Sequence, residues 1–230
     1  MLNNLIQIAG VINLEEALML IDECIEYIGF PLRLKDGRED LSEQSAREII
    51  KYIKPISKPV LITYQQNAKE ISEFYEYLEV DIIQLHGHIK LEEVRNLKKL
   101  YPDLLIIKSL IVRNDNLEEI TDEINMFSDF TDYFITDTFD PKTGRTGATG
   151  KTHDWEISRQ IVNISPKPVI LAGGLNPENV RDAINVVKPA GVDTHTGVEN
   201  LSGKKDAELV KKFVSESQKG FNDLLNGDKD

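Results

Sequence analysis

ILAGGLNPENVRDAINVVKPAGVDTHTGVE, residues Ile170–Glu199, reads as two strand ends that each finish in glycine, joined by a helix. Pro168-Val169-Ile170-Leu171-Ala172 is a short apolar run between a proline and Gly173-Gly174, the pattern of a parallel strand buried on both faces. Asn176-Pro177-Glu178 predicts a helix start: a capping residue, a proline at the first helical position and an acid in the first turn. Val180, Ala183, Ile184 and Val187 then recur at helical spacing. Gly191-Val192-Asp193-Thr194-His195-Thr196-Gly197 repeats strand followed by glycine. Glycine at such ends lets an anion approach main-chain N–H groups, which bind it without a side-chain charge.

The same unit recurs outward along the chain. Candidate strands are Leu5 to Val11, Tyr27 to Leu32, Pro59 to Tyr64, Asp81 to His86, Leu104 to Leu110, Tyr133 to Asp137, Pro168 to Ala172 and Gly191 to Thr194. Amphipathic stretches of helical period lie between and after them: Leu14 to Ile25, Ser42 to Ile53, Ala68 to Leu78, Leu91 to Leu100, Leu117 to Phe127, Trp155 to Ile164 and Asp206 to Leu225. Strict alternation with strands apolar on both faces predicts a parallel sheet with helices outside. Eight strands in 230 residues suit a single closed (β/α)8 barrel, for which about 250 residues is typical. An open doubly wound sheet would leave an edge strand with polar character, and none is visible.

Composition predicts one domain over residues 1–230, frayed at the last few: 40% hydrophobic and 29% charged residues, with no low-complexity break. The apolar runs are too short to cross a bilayer and MLNNLIQIAG lacks the basic region of a signal peptide, so a cytoplasmic protein is expected. The single cysteine, Cys24, excludes an internal disulfide, and its place in the first helical pattern predicts a packed thiol. A net charge of −12 disfavours nucleic acid and anionic membranes as partners. It leaves room for an anionic small molecule, because that field is screened over about 8 Å at physiological salt.

In a β/α barrel the reactive groups sit at the C-terminal ends of the strands. Several of those ends carry motifs that resemble one known family. IQIAGVINLEEA (Ile6–Ala17), IIQLHG (Ile82–Gly87), FITDT (Phe134–Thr138) followed by GATGKTHDW (Gly147–Trp155), ILAGGLNPENV and GVDTHTGVE are similar to the motifs of phosphoribosylanthranilate isomerase, an enzyme of tryptophan biosynthesis. The resemblance spans nearly the whole chain, with the motifs in order at the right strand ends. It implies an Amadori rearrangement: a general acid opens the ring of an N-linked aminoribosyl phosphate and a general base removes the C2′ proton to give the ketose.

The resemblance also implies roles. Asp137 corresponds to the family's general acid, and a carboxyl at a strand end facing a partly closed site is suited to donate a proton; its other reading is a carboxylate that caps the loop. Gly173, Gly174, Thr196 and Gly197 correspond to the phosphate site, in agreement with the reading of the glycines themselves; tight turns at helix entries are the alternative. Arg38 corresponds to the arginine that holds the anthranilate carboxylate, or is a surface residue of a loop rich in Lys35, Asp36, Glu39 and Asp40. His86 ends the fourth strand where the family also has histidine, and Asp193 lies on the eighth.

The first strand departs from the family. The family reads Lys-x-Cys-Gly there, with the cysteine as general base, whereas this chain reads Gln7-Ile8-Ala9-Gly10. Gln7 and Ala9 share a face of the strand, and neither accepts a proton in that role. Cys24, on an outer helix, is on the wrong side of the sheet. His195, Asp193 and His86 are replacement candidates, with His195 foremost: it stands where the family has a small hydroxyl residue, and imidazole is a natural base at neutral pH. Donation to phosphate or to a loop carbonyl is its other role. His153 replaces a family phenylalanine and reads as packing.

Thr138 to His153, with Gly144, Gly147 and Gly150, reads as a lid that would bring Arg145 or Lys151 to the substrate anion. GATGKT is no nucleotide loop, because Arg145 stands where the first glycine of that motif belongs. No cofactor and no metal are expected. The expected partner is a phosphorylated small molecule, and the sequence does not set the oligomeric state. An isomerase of another sugar phosphate, or a barrel that binds phosphate ligands without turnover, is the alternative function.

Overall fold

The computed structural model describes residues 4–34, 41–113, 115–140, 145–146 and 154–227, with backbone alone at 139–140, 145–146 and 227. Strands and helices alternate: β1 (Leu5–Ala9), α1 (Leu14–Asp22), β2 (Tyr27–Leu32), α2 (Glu43–Ile53), β3 (Lys58–Thr63), α3 (Ala68–Leu78), β4 (Ile82–Leu85), α4 (Leu91–Leu100), β5 (Leu105–Val112) and α5 (Leu117–Phe127). They continue with β6 (Tyr133–Asp140), β7 (Arg145–Thr146), α6 (Trp155–Ile164), β8 (Val169–Leu171), α7 (Val180–Val187), β9 (Gly191–Thr194) and α8 (Ala207–Gly227). β1 to β6, β8 and β9 pair in parallel in chain order, and β9 returns to pair with β1, with Gln7 opposite Asp193. This is the closed eightfold barrel that the alternation predicts. The short β7 adds an antiparallel hairpin to the end of β6, with Asp140 opposite Arg145.

Period-two alternation divides the apolar residues into two separate cores. Leu5, Tyr27, Val60, Ile82, Ile107, Ile135 and Ile170 pack together inside the barrel. Ile8, Ile28, Phe30, Leu61, Ile83, Ile106 and Phe134 face outward and pack with the inner stripes of the helices, among them Leu20, Ile50, Phe74, Ile124, Ile184 and Phe213. Strands buried on both sides explain why the sequence shows continuous apolar runs rather than alternation. Gly29 makes one close approach possible: a Cβ there would lie 2.8 Å from both the Ala9 Cβ and the Ile62 Cδ1.

Side-chain caps start several helices just beyond the strand ends. Asn13 accepts from the Glu16 amide at 2.9 Å, Ser42 from Ser45 at 3.1 Å, and Asp154 from Glu156 at 2.9 Å. Two local expectations are corrected. α1 ends at Asp22 rather than Ile25, and Cys24 sits in the turn beyond it with φ 62°, exposed rather than packed. α7 begins at Val180, because Asn176 and Asn179 use their side chains to build a turn: Asn176 Oδ1 accepts from the Glu178 amide and Asn179 Oδ1 from the Asn176 amide. Residues 228–230, expected to fray, lie outside the described residues.

The outer core predicts the stability of the whole barrel. Phe30→Ala, at a side chain only 1% exposed, should cost about 3–5 kcal/mol in urea unfolding.

Candidate active site

At the C-terminal mouth the inward-facing residues change from apolar to polar. Gln7 on β1 is fully buried, and its Nε2 donates to Gln84 Oε1 on β4 and to Asp193 Oδ1 on β9, each at 3.0 Å. One amide thus ties together three strands. Gln7 Oε1 has no partner among the described residues. Asp193 is partly open to the mouth. Enclosure by the barrel pushes its carboxyl up to about 7, with the charge of Asp137 adding to the shift and the Gln7 hydrogen bond and the Lys205 charge opposing it.

Asp137, near the end of β6, is 8% exposed. Its Oδ2 lies 2.5 Å from His86 Nε2, and its Oδ1 accepts from the Thr138 amide at 2.8 Å. His86, just past β4, is stacked on the Tyr64 ring, with centroids 4.4 Å apart and planes 18° apart. Behind them, Lys108 on β5 points outward and is buried. Its Nζ is 2.8 Å from Glu123 Oε1 and donates to the carbonyls of Ser109 and Gly87 at 2.7 and 3.2 Å. Lys108 therefore holds the turn that carries His86. The contact joins a carboxyl and an imidazole from two different strands at the mouth.

The loops after β8 and β9 meet beside this pair. Gly173 and Gly174 have φ values of 107° and 66°, the left-handed region that glycine enters without strain. The Asn179 amide group holds Gly174 O at 3.0 Å, and Thr194 Oγ1 donates to Leu175 O at 2.7 Å, linking the two loops. Gly197 has no room for a side chain: a Cβ there would fall 1.9 Å from Leu175 O. The amides of Gly173, Gly174, Thr196 and Gly197 find no acceptor among the described residues. Such a group of free N–H donors between two glycine-rich loops suits a phosphate.

His195 is held in a different cluster. Its ring tip fills the space over Gly10, and Nε2 is 3.5 Å from Glu199 Oε1. Lys205 Nζ donates to His195 O at 2.9 Å and to Glu199 Oε1 at 2.6 Å, while the Lys205 amide donates to Glu16 Oε1 of α1 at 3.0 Å. Burial lowers the Lys205 ammonium pKa, and the Glu199 carboxylate works against that shift. The structure thus brings together His86, Asp137 and Asp193, and separately the glycines with Thr196, while His195 sits between β1 and the start of α8. Arg38, Lys151 and His153 lie outside the described residues, as does the side chain of Arg145. Among the described residues, no group of three or more His, Cys, Asp or Glu side chains is arranged to hold a metal ion.

A family model described as N-(5'phosphoribosyl)anthranilate (PRA) isomerase matches residues 7–216. The chain belongs to that family. It is 35% identical over 222 residues to N-(5'-phosphoribosyl)anthranilate isomerase 2 of Methanosarcina mazei, covering 96% of this chain and 97% of that one. It is 31% identical to the Thermotoga maritima isomerase over 93% of this chain and 98% of the relative. The crystal structure of phosphoribosyl anthranilate isomerase from Thermotoga maritima superposes with a TM-score of 0.79 at 29% identity, covering 94% of this chain and 99% of that one. A phosphoribosyl anthranilate isomerase in complex with reduced 1-(o-carboxyphenylamino)-1-deoxyribulose 5-phosphate gives 0.76 at 28% identity over the same shares of the two chains.

Sequence reasoning did not single out Gln84, Tyr64, Lys108 or Lys205. Lys108 had a signal, a lysine in the otherwise apolar run LIIKSLIV. Lys205 and Tyr64 had none, because their roles depend on residues distant in the chain.

Two outcomes follow from this geometry. Gly197→Ala should weaken binding of inorganic phosphate by about tenfold or more, roughly 1.4 kcal/mol, in calorimetric titration. Folded Asp193 binds its proton more tightly than the unfolded chain does between 3.8 and about 7, so its contribution to stability falls as pH rises across that window. Asp193→Asn should therefore flatten the fall in Tm over that range and be the more stable protein above it, as read by calorimetric melting.

Proposed function

We propose that the protein is a phosphoribosylanthranilate isomerase that rearranges an N-linked aminoribosyl phosphate to the corresponding ketose. The observation that carries this reading is the Asp137–His86 contact inside the barrel mouth, set beside the free amides of the β8 and β9 loops. Family membership and the isomerase activity of the relatives support the anthranilate-bearing substrate.

On this reading the phosphate lies on the amides of Gly173, Gly174, Thr196 and Gly197, where dipoles take its charge in a barrel of net negative charge. Binding energy from this non-reacting end positions the ribose against Asp137. Asp137, as general acid, delivers a proton to the ring oxygen as the C1′–O bond breaks. The aniline nitrogen lone pair forms the C1′=N bond, giving the open iminium. Removal of the C2′ proton yields the enolamine, which tautomerises to the ketose. Arg38, which lies outside the described residues, is on this reading the partner of the anthranilate carboxylate. His195, beside Thr196, serves the phosphate loop, and a soluble cytoplasmic enzyme of small-molecule biosynthesis fits these features.

Ala9 favours a second reading, a barrel that keeps phosphate binding without turnover. An assay of the purified protein with N-(5'-phosphoribosyl)anthranilate, following the ketose by chromatography, separates the two. The expected outcome is turnover that Asp137→Asn lowers by about 10² to 10⁴ in kcat. Phosphate binding without turnover would establish the second reading.

A further inference from the structure

The rearrangement needs a group that removes the C2′ proton, and β1 ends in Gln7, Ala9 and Gly10, none of which ionises. We propose that Asp193 is the general base of this barrel, aimed by Gln7, with only β8 between its strand and that of Asp137. The inference rests on the isomerase reading above and assigns the proton acceptor that it leaves open.

Three observations place Asp193 for the task. It lies on β9 directly opposite Gln7 in the β1–β9 register, on the inward face two residues below the level of Ala9. Gln7 Nε2 takes one carboxylate oxygen at 3.0 Å and is itself anchored to Gln84, so the carboxyl has a fixed orientation. The other oxygen, Oδ2, accepts from no described residue, and the side chain stays partly open to the mouth.

Among the described residues, the charged groups that act on Asp193 are Asp137 from β6 and Lys205 from the segment before α8, while Ala172 follows β8 at the mouth. Two carboxyls in one site divide the roles of acid and base when their surroundings differ. Asp137 Oδ2 is engaged by His86 Nε2. Asp193, pushed up to about 7, is basic enough to accept a proton and still ionised in part at neutral pH. The other candidate, His195, directs Nε2 toward Glu199, within the cluster tied to α1 and α8.

The step balances without a further reactant. Asp193 Oδ2 takes the C2′ proton, the C2′–H electrons become the C1′=C2′ bond, and the C1′=N π electrons return to nitrogen. The same carboxyl then returns its proton to C1′ as the C2′ hydroxyl becomes the carbonyl and its proton leaves to solvent.

The test compares wild type, Asp193→Asn, and the double variant Asp193→Asn with Ala9→Cys, using N-(5'-phosphoribosyl)anthranilate. Asp193→Asn should lower kcat by about 10² to 10⁴ and leave KM within about threefold. The added thiol should restore kcat by at least about tenfold, since a new acceptor two residues along the neighbouring strand replaces the lost one. Wild-type kcat/KM should rise with pH through about 7, and in the rescued variant that limb should move toward the thiol range near about 8.5. A wild type that turns over while Asp193→Asn keeps its rate, or keeps the limb near 7, overturns the base assignment and leaves the isomerase reading standing. A wild type without activity ends both. A loss that appears in KM rather than kcat, with no rescue by the thiol, shows that Asp193 only binds substrate.

Discussion

The hydrogen-bonded return of β9 onto β1 is the constraint on which the site depends. It aligns Gln7 with Asp193, and the alternation of a pleated strand then turns both side chains inward. A slip of one residue would reverse every side chain of a strand, sending Asp193 into the outer apolar core and Val192 into the mouth. The two apolar cores resist that slip, because each strand buries both faces. The fold therefore secures the placement of a few polar groups by means of many apolar ones.

Those polar groups are costly where they stand. Asp137 and Asp193 share one enclosure, and burial together with the Asp137 charge opposes ionisation of Asp193. The structure offsets this with directed donors: Gln7 to Asp193, the Thr138 amide and His86 to Asp137. Further compensation lies outside the barrel wall. Lys108 and Lys205 are both buried beyond the strands, each paired with a glutamate and each bonded to a carbonyl of a loop that shapes the mouth. Breaking such a pair leaves an unpaired buried charge, so these lysines hold their loops firmly.

The anion site follows a different logic. Its donors are backbone amides, which need no counter-charge and accept little substitution where the two loops touch. Thr194 Oγ1 and the absent side chain of Gly197 both converge on the Leu175 carbonyl, so the β8 loop and the β9 loop form one unit. The negative charge of the whole chain is compatible with such a site, because aligned amides act over a few ångströms and the distant charge is screened.

Much of this was legible in the chain itself. Apolar runs of strand length, glycines at two successive strand ends and helical periodicity between them determine the alternating order and the barrel, since residues near in sequence settle both signals. Asp137, Asp193 and His86 were readable as strand-end residues once the strands were placed. Local punctuation was read less well: Asn176 and Asn179 spend their side chains on a turn, so α7 starts late, and the chain reverses at Cys24 where helical periodicity still continued. Tertiary structure alone decided which candidates meet. His86 pairs with Asp137 and Gln7 with Asp193, while His195 goes with Glu199 and Lys205. Those pairings depend on the closure of the barrel, on register and on how loops from opposite ends of the chain pack, and no short-range pattern encodes distances between residues so far apart in sequence.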